Sequence, residues 1–169
     1  QSAGIFKVSA RLNLIFYLYI AECIMATLSP YLNFNGNTEE AFNFYKSVFG
    51  GEFATLQRFK DVPGLPGTEN MSEEDGQKIM HVSLPIGNGV SLMASDSMES
   101  FGHSLTVGNN FYISINADSE AEAGELFTKL SGGGNVQMEM QKTFWGAYFG
   151  MCTDQFGIQW MINYDYNQQ

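Results

Sequence analysis

The sequence predicts an α+β fold of two tandem βαβββ modules, and three observations support this prediction. A strand-like stretch at Tyr31–Asn35 is followed by residues with helical spacing. The same pattern returns at Tyr112–Asn116, 81 residues later (112 − 31). Further along each half, Gly89–Met93 resembles Gly157–Met161 at an offset of 68 (157 − 89). A repeat on this scale indicates two copies of one supersecondary unit.

The first module begins with a strand, a tight connection and a helix. From Tyr31 to Asn35, aromatic or aliphatic residues alternate with asparagines, which is the period of a strand with one apolar and one polar face. Asn37 or Thr38 is expected to cap the helix, and Gly50 is expected to end it at a positive φ. Apolar residues recur at helical spacing between these ends: Phe42, Tyr45, Val48 and Phe49.

The remaining elements of the first module are three strands and a long loop. Alternating residues predict strands at 52–60, 78–85 and 89–95, and Gly87-Asn88 is a strong hairpin signal between the last two. Two proline–glycine pairs and an acidic run predict a loop over 61–76. Serine and glycine are then frequent from Asp96 to Gly108, where His103 is expected to be exposed to solvent.

The second module repeats this order with shorter connections. Its predicted elements are a strand at 110–116, a capped helix at 119–131, strands at 135–142, 145–152 and 158–164, and a turn at 154–157. The predicted organisation is an N-terminal extension (1–28), a first module (29–97), a linker (98–108) and a second module (109–169).

Residues 1–28 do not belong to the repeat. Lys7 and Arg11 precede an apolar run from Leu12 to Ala21 that is typical of a signal peptide and is short for a membrane span. The preferred interpretation is that Met25 is the natural start and the upstream residues are an extension, because Met25–Pro30 is typical of an ordinary protein start. The folded domain is expected to be cytoplasmic in that case, and exported if the segment is a genuine signal.

Charge and cysteine content exclude several classes of function. The formal net charge of −10 argues against a nucleic-acid partner, because nothing offsets phosphate repulsion. Cys23 and Cys152 are isolated, so neither a disulfide framework nor a zinc finger is predicted. Cys152 falls in an apolar strand and is expected to be a buried core thiol. No membrane contact is expected of the folded domain.

Two short motifs add a family resemblance to this fold prediction. The first helix ends in Phe-Tyr-x-x-Val-Phe-Gly-Gly (44–51), and the second module closes with Asp-x-Phe-Gly-x-x-Trp-Met-Ile-Asn (154–163). Together with the paired modules, they resemble the vicinal oxygen chelate superfamily over about residues 29–165. That superfamily includes glyoxalase I, the extradiol dioxygenases and the bleomycin and fosfomycin resistance proteins. The resemblance is strongest to its PhnB-like branch, and it implies a homodimer whose mixed sheets curl around a shared cavity.

The resemblance also implies a metal site, which this sequence does not reproduce. In the metal-dependent members, a histidine on the first strand and a glutamate on the last strand of each module hold a divalent cation. Here the histidine positions fall on Ser29 or Pro30 and on Asn110 or Tyr112, and the glutamate positions fall on Met93 (or Leu92) and Met161. Because thioethers, amides and phenols do not suit such a cation, we expect no metal and no cofactor.

Without the histidine and glutamate ligands, the activities of the superfamily cannot be assumed for this chain. The superfamily's lyase, isomerase and dioxygenase reactions depend on the metal, so whether the chain is an enzyme stays open. The methyltransferase label once given to the PhnB-like branch is disfavoured, since no glycine-rich strand-to-helix turn of a doubly wound sheet is present.

Nine residues are the candidates for a ligand pocket. One is His81, and the other eight lie on the polar faces of the first strands, at the altered glutamate positions, or among the soft apolar side chains of the later strands. These residues are Tyr31, Asn33, His81, Met93, Tyr112, Ser114, Trp145, Phe149 and Met161. Asn35 and Asn116, by contrast, are expected to shape the turns into the helices.

His81 is the one weak candidate for a catalytic group. It alternates along its strand on the same face as Ile79 and Ser83, and an imidazole there could act as an acid–base group or as a lone metal ligand. The alternative is a histidine that is simply hydrogen-bonded inside the sheet.

Three functions are compatible with these residues. The first is a metal-free homodimer that binds a small molecule in the cavity between the modules. The second is a metal-dependent enzyme of the same superfamily with a relocated site that uses His81. The third is a module that binds a protein partner. A bound metal would favour the second function, and a closed cavity in a stable protein complex would favour the third.

Overall fold

The structure is a computed structural model that describes residues 27–64, 66, 71–98 and 104–167. The first module contains β1 (Tyr31–Phe34), α1 (Thr38–Phe49), β2 (Thr55–Arg58), α2 (Glu73–Gln77), β3 (Ile79–Gly87) and β4 (Val90–Asp96). The second module contains β5 (Ile113–Asn116), α3 (Glu120–Ser131), β6 (Asn135–Lys142), β7 (Ala147–Thr153) and β8 (Gln159–Asp165).

Each module forms one four-stranded mixed sheet. The strand orders are β1-β4-β3-β2 and β5-β8-β7-β6. The first strand of each module runs parallel to the last, because a helical crossover separates it from the other strands, and the remaining pairs are antiparallel. The predicted α+β class and the two βαβββ modules are therefore confirmed. The sheets are two separate open sheets, whereas the resemblance implied a curled surface.

Strand alternation gives each sheet a core face and an open face. Leu32 and Phe34 are buried, each with 3% of its surface exposed. Tyr31 and Asn33, which alternate with them along β1, face solvent, as the sequence predicted. The buried residues of both modules form one cluster, in which Tyr45 of α1 packs edge-on against Trp160 of β8 with ring centroids 5.7 Å apart. The two modules therefore share one hydrophobic core, and the open face of each sheet lies on the side away from it.

A buried carboxylate caps α1 from a distant strand. The sequence predicted Asn37 or Thr38 as the cap, but Asn37 makes no side-chain hydrogen bond to the helix terminus. Instead Asp96, the last residue of β4, accepts bonds from the backbone N–H groups of Gly36 (3.0 Å) and Thr38 (3.1 Å) and from the Thr38 hydroxyl (2.6 Å). Its second oxygen accepts from the N–H of Ile79 at 2.7 Å. This one side chain thereby fixes α1, β3 and β4 to each other.

Several boundaries differ from the prediction for local reasons. The strand predicted at 52–60 is shorter, because the chain turns into a 3₁₀ helix at Phe59–Asp61 that buries Phe59. The loop predicted over 61–76 contains α2, whose N-terminus is capped by the Ser72 hydroxyl through a 3.0 Å bond from the N–H of Asp75. Asp96 is the last residue of β4, although the sequence had placed it in the serine- and glycine-rich stretch that follows the strand.

Some predictions fall on residues that the structure does not describe. These are the signal-like segment, Cys23 and His103. Over the described part of the chain, no helix has the length and apolar character needed to span a membrane. The module boundaries at 28, 97 and 108 stay predictions.

Candidate functional site

Four of the nine predicted pocket residues share the open face of the first sheet. The strand register places Tyr31 opposite Met93, and Met93 opposite Ser83. His81 lies opposite Gln57 of β2 on the same face, because cross-strand partners point the same way. We call this surface the first open face; it comprises Tyr31, Asn33, His81, Ser83, Met93 and Ser95.

Tyr31 and His81 form a pair on this face. The phenol oxygen of Tyr31 lies 3.3 Å from Nδ1 of His81, within hydrogen-bond distance. The two rings are stacked, with centroids 5.8 Å apart and an interplanar angle of 19°. Tyr31 is 46% exposed, so this pair offers an aromatic surface and hydrogen-bonding groups to solvent or to a ligand.

Ile79 does not share the face of His81. The sequence placed Ile79 on the same face as His81, but Ile79 is buried in the core. The register shifts at this point, because Gln57 pairs with His81 while the next residue, Arg58, pairs with Ile79. The extra residue in β3, Met80, turns Ile79 inward and leaves His81 on the open face.

The open face of the second sheet is richer in methionine and aromatic side chains. The register places Ser114 opposite Met161 and Met161 opposite Met151. The ring of Trp145, in the turn before β7, lies edge-on to Phe149 with centroids 6.0 Å apart. We call this surface the second open face; it comprises Ser114, Asn116, Phe149, Met151, Met161 and Asn163, with Trp145 at its end.

A cavity of about 750 Å³ lies where the two modules meet. The edge strands β1 and β5 both line it, and Phe49 of α1 and Leu126 of α3 lie in its apolar wall. Of the nine predicted residues, Tyr31, Tyr112 and Ser114 line this cavity, and the other six lie on the two open faces. The structure thus distributes the predicted pocket residues over three neighbouring surfaces, and which of them contact a ligand stays a prediction.

The residues at the superfamily's metal positions do not fit a divalent cation. In the first module the N–H of Met93 donates a 3.0 Å hydrogen bond to the carbonyl of Pro30, so these two residues are neighbours. In the second module the strand register places Ser114 beside Met161, whereas the sequence had assigned the histidine position to Asn110 or Tyr112. Within the described ranges, no group of three or more His, Cys, Asp or Glu residues is arranged to hold a metal ion. A thioether is a soft donor and a neutral hydroxyl is a weak one, so neither replaces the imidazole and carboxylate of a histidine–glutamate set.

The structural role of Asp154 was missed, because its motif was interpreted only as a turn and as part of a family resemblance. One of its oxygens accepts hydrogen bonds from the N–H groups of Phe156 (2.8 Å) and Ile158 (3.0 Å), which shapes the turn between β7 and β8. The other accepts from the Tyr45 hydroxyl (2.8 Å) and the Trp160 indole (2.8 Å). Burial, followed by the negative charge of Asp154, raises the pKa of Tyr45 well above its usual range. Four hydrogen bonds occupy this carboxylate, so its role is structural.

Cys152 is a buried core residue, as predicted. It is fully buried in the cluster between α3 and the second sheet. Burial, with a further contribution from Asp154, raises the pKa of Cys152 to about 11. A thiol that stays protonated and inaccessible does not act as a nucleophile.

Comparisons with known proteins agree with this architecture. Residues 27–162 match the family model described as the Glyoxalase/Bleomycin resistance protein/Dioxygenase superfamily. Protein YjdN of Escherichia coli (strain K12) is 32% identical over 141 residues, which cover 80% of this chain and 93% of that protein.

Two solved structures are also similar to this chain. The structure of protein PA1353 from Pseudomonas aeruginosa superposes with a TM-score of 0.72 at 40% identity and covers 83% of this chain and 98% of its own. A PhnB protein from Bacillus cereus gives a TM-score of 0.63 at 24% identity, over 82% of this chain and 99% of its own, and this likeness concerns the fold alone.

Proposed function

Because the chain belongs to the Glyoxalase/Bleomycin resistance protein/Dioxygenase superfamily, we propose that it is a metal-free member that binds a small molecule as a homodimer. The observation that carries this proposal is the pair of methionines at the glutamate positions. Met93 lies beside Pro30 and Met161 beside Ser114, so neither module offers the imidazole and carboxylate that the resemblance would require.

The binding of a small molecule is supported by the composition of the two open faces. One face presents hydroxyl, amide, phenol and imidazole groups, and the other presents methionine and aromatic side chains. Methionine side chains adapt to the shape of a ligand, and a few polar groups fix its orientation. Both faces lie outside the core, so they are available for binding without unfolding.

A homodimer is supported by two unpaired sheet edges at the same cavity. Among the described strands, β1 pairs with β4 alone and β5 pairs with β8 alone. Unpaired edges favour association, and a symmetric dimer could pair β1 of each copy with β5 of the other. Nearby apolar side chains are exposed, Leu28 at 83% and Phe111 at 52%. This pairing would set the first open face of one copy beside the second open face of its partner.

The Tyr31–His81 pair supports one alternative. A histidine that bonds a phenol on an accessible face could serve as an acid–base group or as one ligand of a relocated metal. This is the second candidate function, a metal-dependent enzyme of the superfamily that uses His81. Among the described residues paired along β2, β3 and β4, no carboxylate lies on the same face as His81, which makes the metal-dependent enzyme the weaker proposal.

Metal analysis distinguishes the two candidates. Protein purified without a metal-binding tag is analysed for metal content and then titrated calorimetrically with zinc, nickel and manganese, and its mass is measured by light scattering. We expect a dimer with no stoichiometric metal and no binding heat. A one-to-one metal that is lost in His81→Ala and kept in Tyr31→Phe would replace the proposed function by the alternative. A monomer would overturn the homodimer.

A further inference from the structure

Three aromatic side chains gather at one end of the second open face, around the turn between β6 and β7. The rings of Phe144 and Trp145 meet edge to face with centroids 4.9 Å apart, and Trp145 meets Phe149 in the same way at 6.0 Å. Phe144 is 98% exposed and Trp145 is 52% exposed. Because their burial in the core does not account for them, rings exposed in this way indicate a binding surface.

A carboxylate lies at the same end of the sheet. Asp165 continues the row of Met161 and Asn163 on the open side of β8, because alternate residues of a strand share a face. It pairs with Ala147 of β7, and Phe149 is its diagonal neighbour on the same face. Diagonal neighbours are within reach of an aromatic side chain, so the carboxylate and the rings border one area.

The side chain between them is small and covered. Ala147 alternates with Phe149 on the open side of β7, yet it is only 3% exposed and is not part of the shared core cluster. Its larger neighbours on the open side therefore enclose it. We call this area the aromatic recess: Ala147 is its floor, Trp145 and Phe149 are its ring walls, and Asp165 lies on its β8 side.

The charge of Asp165 is not neutralised by any described residue. Both of its hydrogen bonds come from Asn167 and reach the same oxygen, Oδ1, one from the N–H at 2.8 Å and one from the amide at 3.2 Å. These bonds orient the carboxylate without cancelling its charge, and no described residue donates to Oδ2. Lys142 of β6 is engaged elsewhere, 3.7 Å from Glu120 of α3 and 5.3 Å from the ring centre of Tyr166.

From this arrangement we propose that the aromatic recess binds an organic cation, an alkylated ammonium group. Such a group is attracted to the faces of aromatic rings, and the free oxygen of Asp165 adds a Coulomb attraction. The net charge of −10 also attracts cations from a longer distance. A single carboxylate beside two rings does not suit a metal ion, which needs several oxygen or nitrogen ligands.

This inference rests on the proposed function, because it names the chemistry of a ligand at one end of the second open face. It does not depend on the homodimer, since one copy contains the whole aromatic recess. The failure of either proposal can therefore be recognised separately.

Two probes of the same shape and different charge test the inference. They are choline, which carries a quaternary nitrogen, and dimethylbutanol, in which a carbon atom replaces that nitrogen. Each is titrated against the full chain, and binding is followed through the NMR signals of the probe's methyl groups. We expect choline to bind about tenfold tighter, because only the charged probe is attracted by the rings and the carboxylate. Choline should also change the fluorescence of Trp145, which is half-exposed, whereas Trp160 is fully buried.

Two variants test the location. Trp145→Leu removes one ring wall, and Asp165→Asn removes the charge but keeps an oxygen that can accept from Asn167. Each should weaken choline binding about fivefold, and Asp165→Asn should leave dimethylbutanol binding unchanged. Glu40→Gln is the matched control, because it removes the same charge from the exposed first turn of α1 in the first module. Choline binding should be unchanged in this control.

The outcomes separate this inference from the proposed function. Equal affinities for the two probes overturn the cationic chemistry and leave small-molecule binding in place. Choline binding that survives in both Trp145→Leu and Asp165→Asn overturns the location. A wild type that binds neither probe overturns the inference, whereas the proposed function is decided separately by the metal content and mass of the same samples. A monomer that binds choline overturns the homodimer and supports the inference.

Discussion

The hydroxyl of Tyr45 in α1 donates a 2.8 Å hydrogen bond to the carboxylate of Asp154, across the boundary between the modules. Both side chains are buried, and 109 residues separate them in the sequence. Asp154 also accepts from Trp160, against which the Tyr45 ring packs edge-on. The two modules are therefore joined by a polar bond inside an apolar contact, and that bond fixes how one sheet lies relative to the other.

Removing this hydroxyl should destabilise the whole fold. Tyr45→Phe keeps the ring and its packing but deprives a buried carboxylate of one of its four donors. Hydrogen bonds to charged groups contribute about 2 kcal/mol, so we expect the free energy of unfolding to fall by about that amount in urea. Tyr31→Phe is the control, because that phenol is on an exposed face and its loss should cost less than about 0.5 kcal/mol. Equal unfolding midpoints for wild type and Tyr45→Phe would contradict the account.

Stability should decline in alkaline solution for a defined reason. The thiol of Cys152 has an ordinary pKa of 9.0, and the fold raises it to about 11; the pKa of Tyr45 is raised as well. In the unfolded chain both groups ionise at lower pH than in the folded chain. Their contribution is thus fully present below pH 9 and is lost as pH rises, for the thiol between 9 and about 11.

The measurement is the free energy of unfolding in urea at a series of alkaline pH values. Each group should reduce it by about 1.4 kcal/mol per pH unit within its own window. The double variant Tyr45→Phe with Cys152→Ala should be less stable at neutral pH and show a shallower decline above pH 9. The same slope in both proteins would mean that other groups cause the alkaline loss.

The carboxylate of Asp96 should be indispensable to the first module. The carboxylate of Asp96 accepts four hydrogen bonds, all from N–H and hydroxyl groups. In Asp96→Asn, an NH₂ group replaces one of the accepting oxygens and faces another donor. We expect a loss of about 3 kcal/mol in unfolding free energy and faster amide exchange at the start of α1. Ser119→Ala, which removes the local cap of α3, should cost only about 1 kcal/mol. A smaller loss for Asp96→Asn than for Ser119→Ala would refute the role assigned to Asp96.

Two glycines of the second module should respond in opposite directions to alanine. A Cβ on Gly134 would overlap the carbonyl oxygen of Thr153 and lie 2.8 Å from the carbonyl carbon of Asp154, so the backbone would have to move. Gly124 lies inside α3 with open space around it. We expect Gly134→Ala to lower the melting temperature and to cost about 2 kcal/mol, and Gly124→Ala to add about 1 kcal/mol. Melting temperatures that shift together would show that the close approach at Gly134 is not limiting.

Local periodicity was enough to predict most of the elements and the two faces of β1. The helix α1 begins and ends where its spacing, its capping region and Gly50 predicted, and the alternation of β1 correctly assigned Leu32 and Phe34 to the core. These features depend on residues within a few positions of each other, so a single sequence contains them. The short helix α2 was missed because five residues give too little periodicity.

The features that were not predictable depend on distant partners. The cap of α1 comes from Asp96, 58 residues beyond Thr38, and nothing in the local pattern distinguishes this aspartate from a loop residue. The inward turn of Ile79 depends on how β3 pairs with β2. The distribution of the nine pocket candidates over two open faces and one cavity follows from how the modules pack, which alternation within one strand does not determine.

The central claim is that one ligand site is built from the first open face of one copy and the second open face of another, and mixed dimers test it most directly. Met93→Arg spoils the first face and Met161→Arg the second, because each methionine lies in the middle of its row. Neither homodimer should bind a neutral aromatic amide, such as 2-naphthamide, that binds the wild type. A heterodimer purified from co-expressed, differently tagged chains should bind it at one site, half the wild-type capacity, since one site then combines two intact faces. A heterodimer that binds no probe, while the wild type does, would contradict a site shared between subunits.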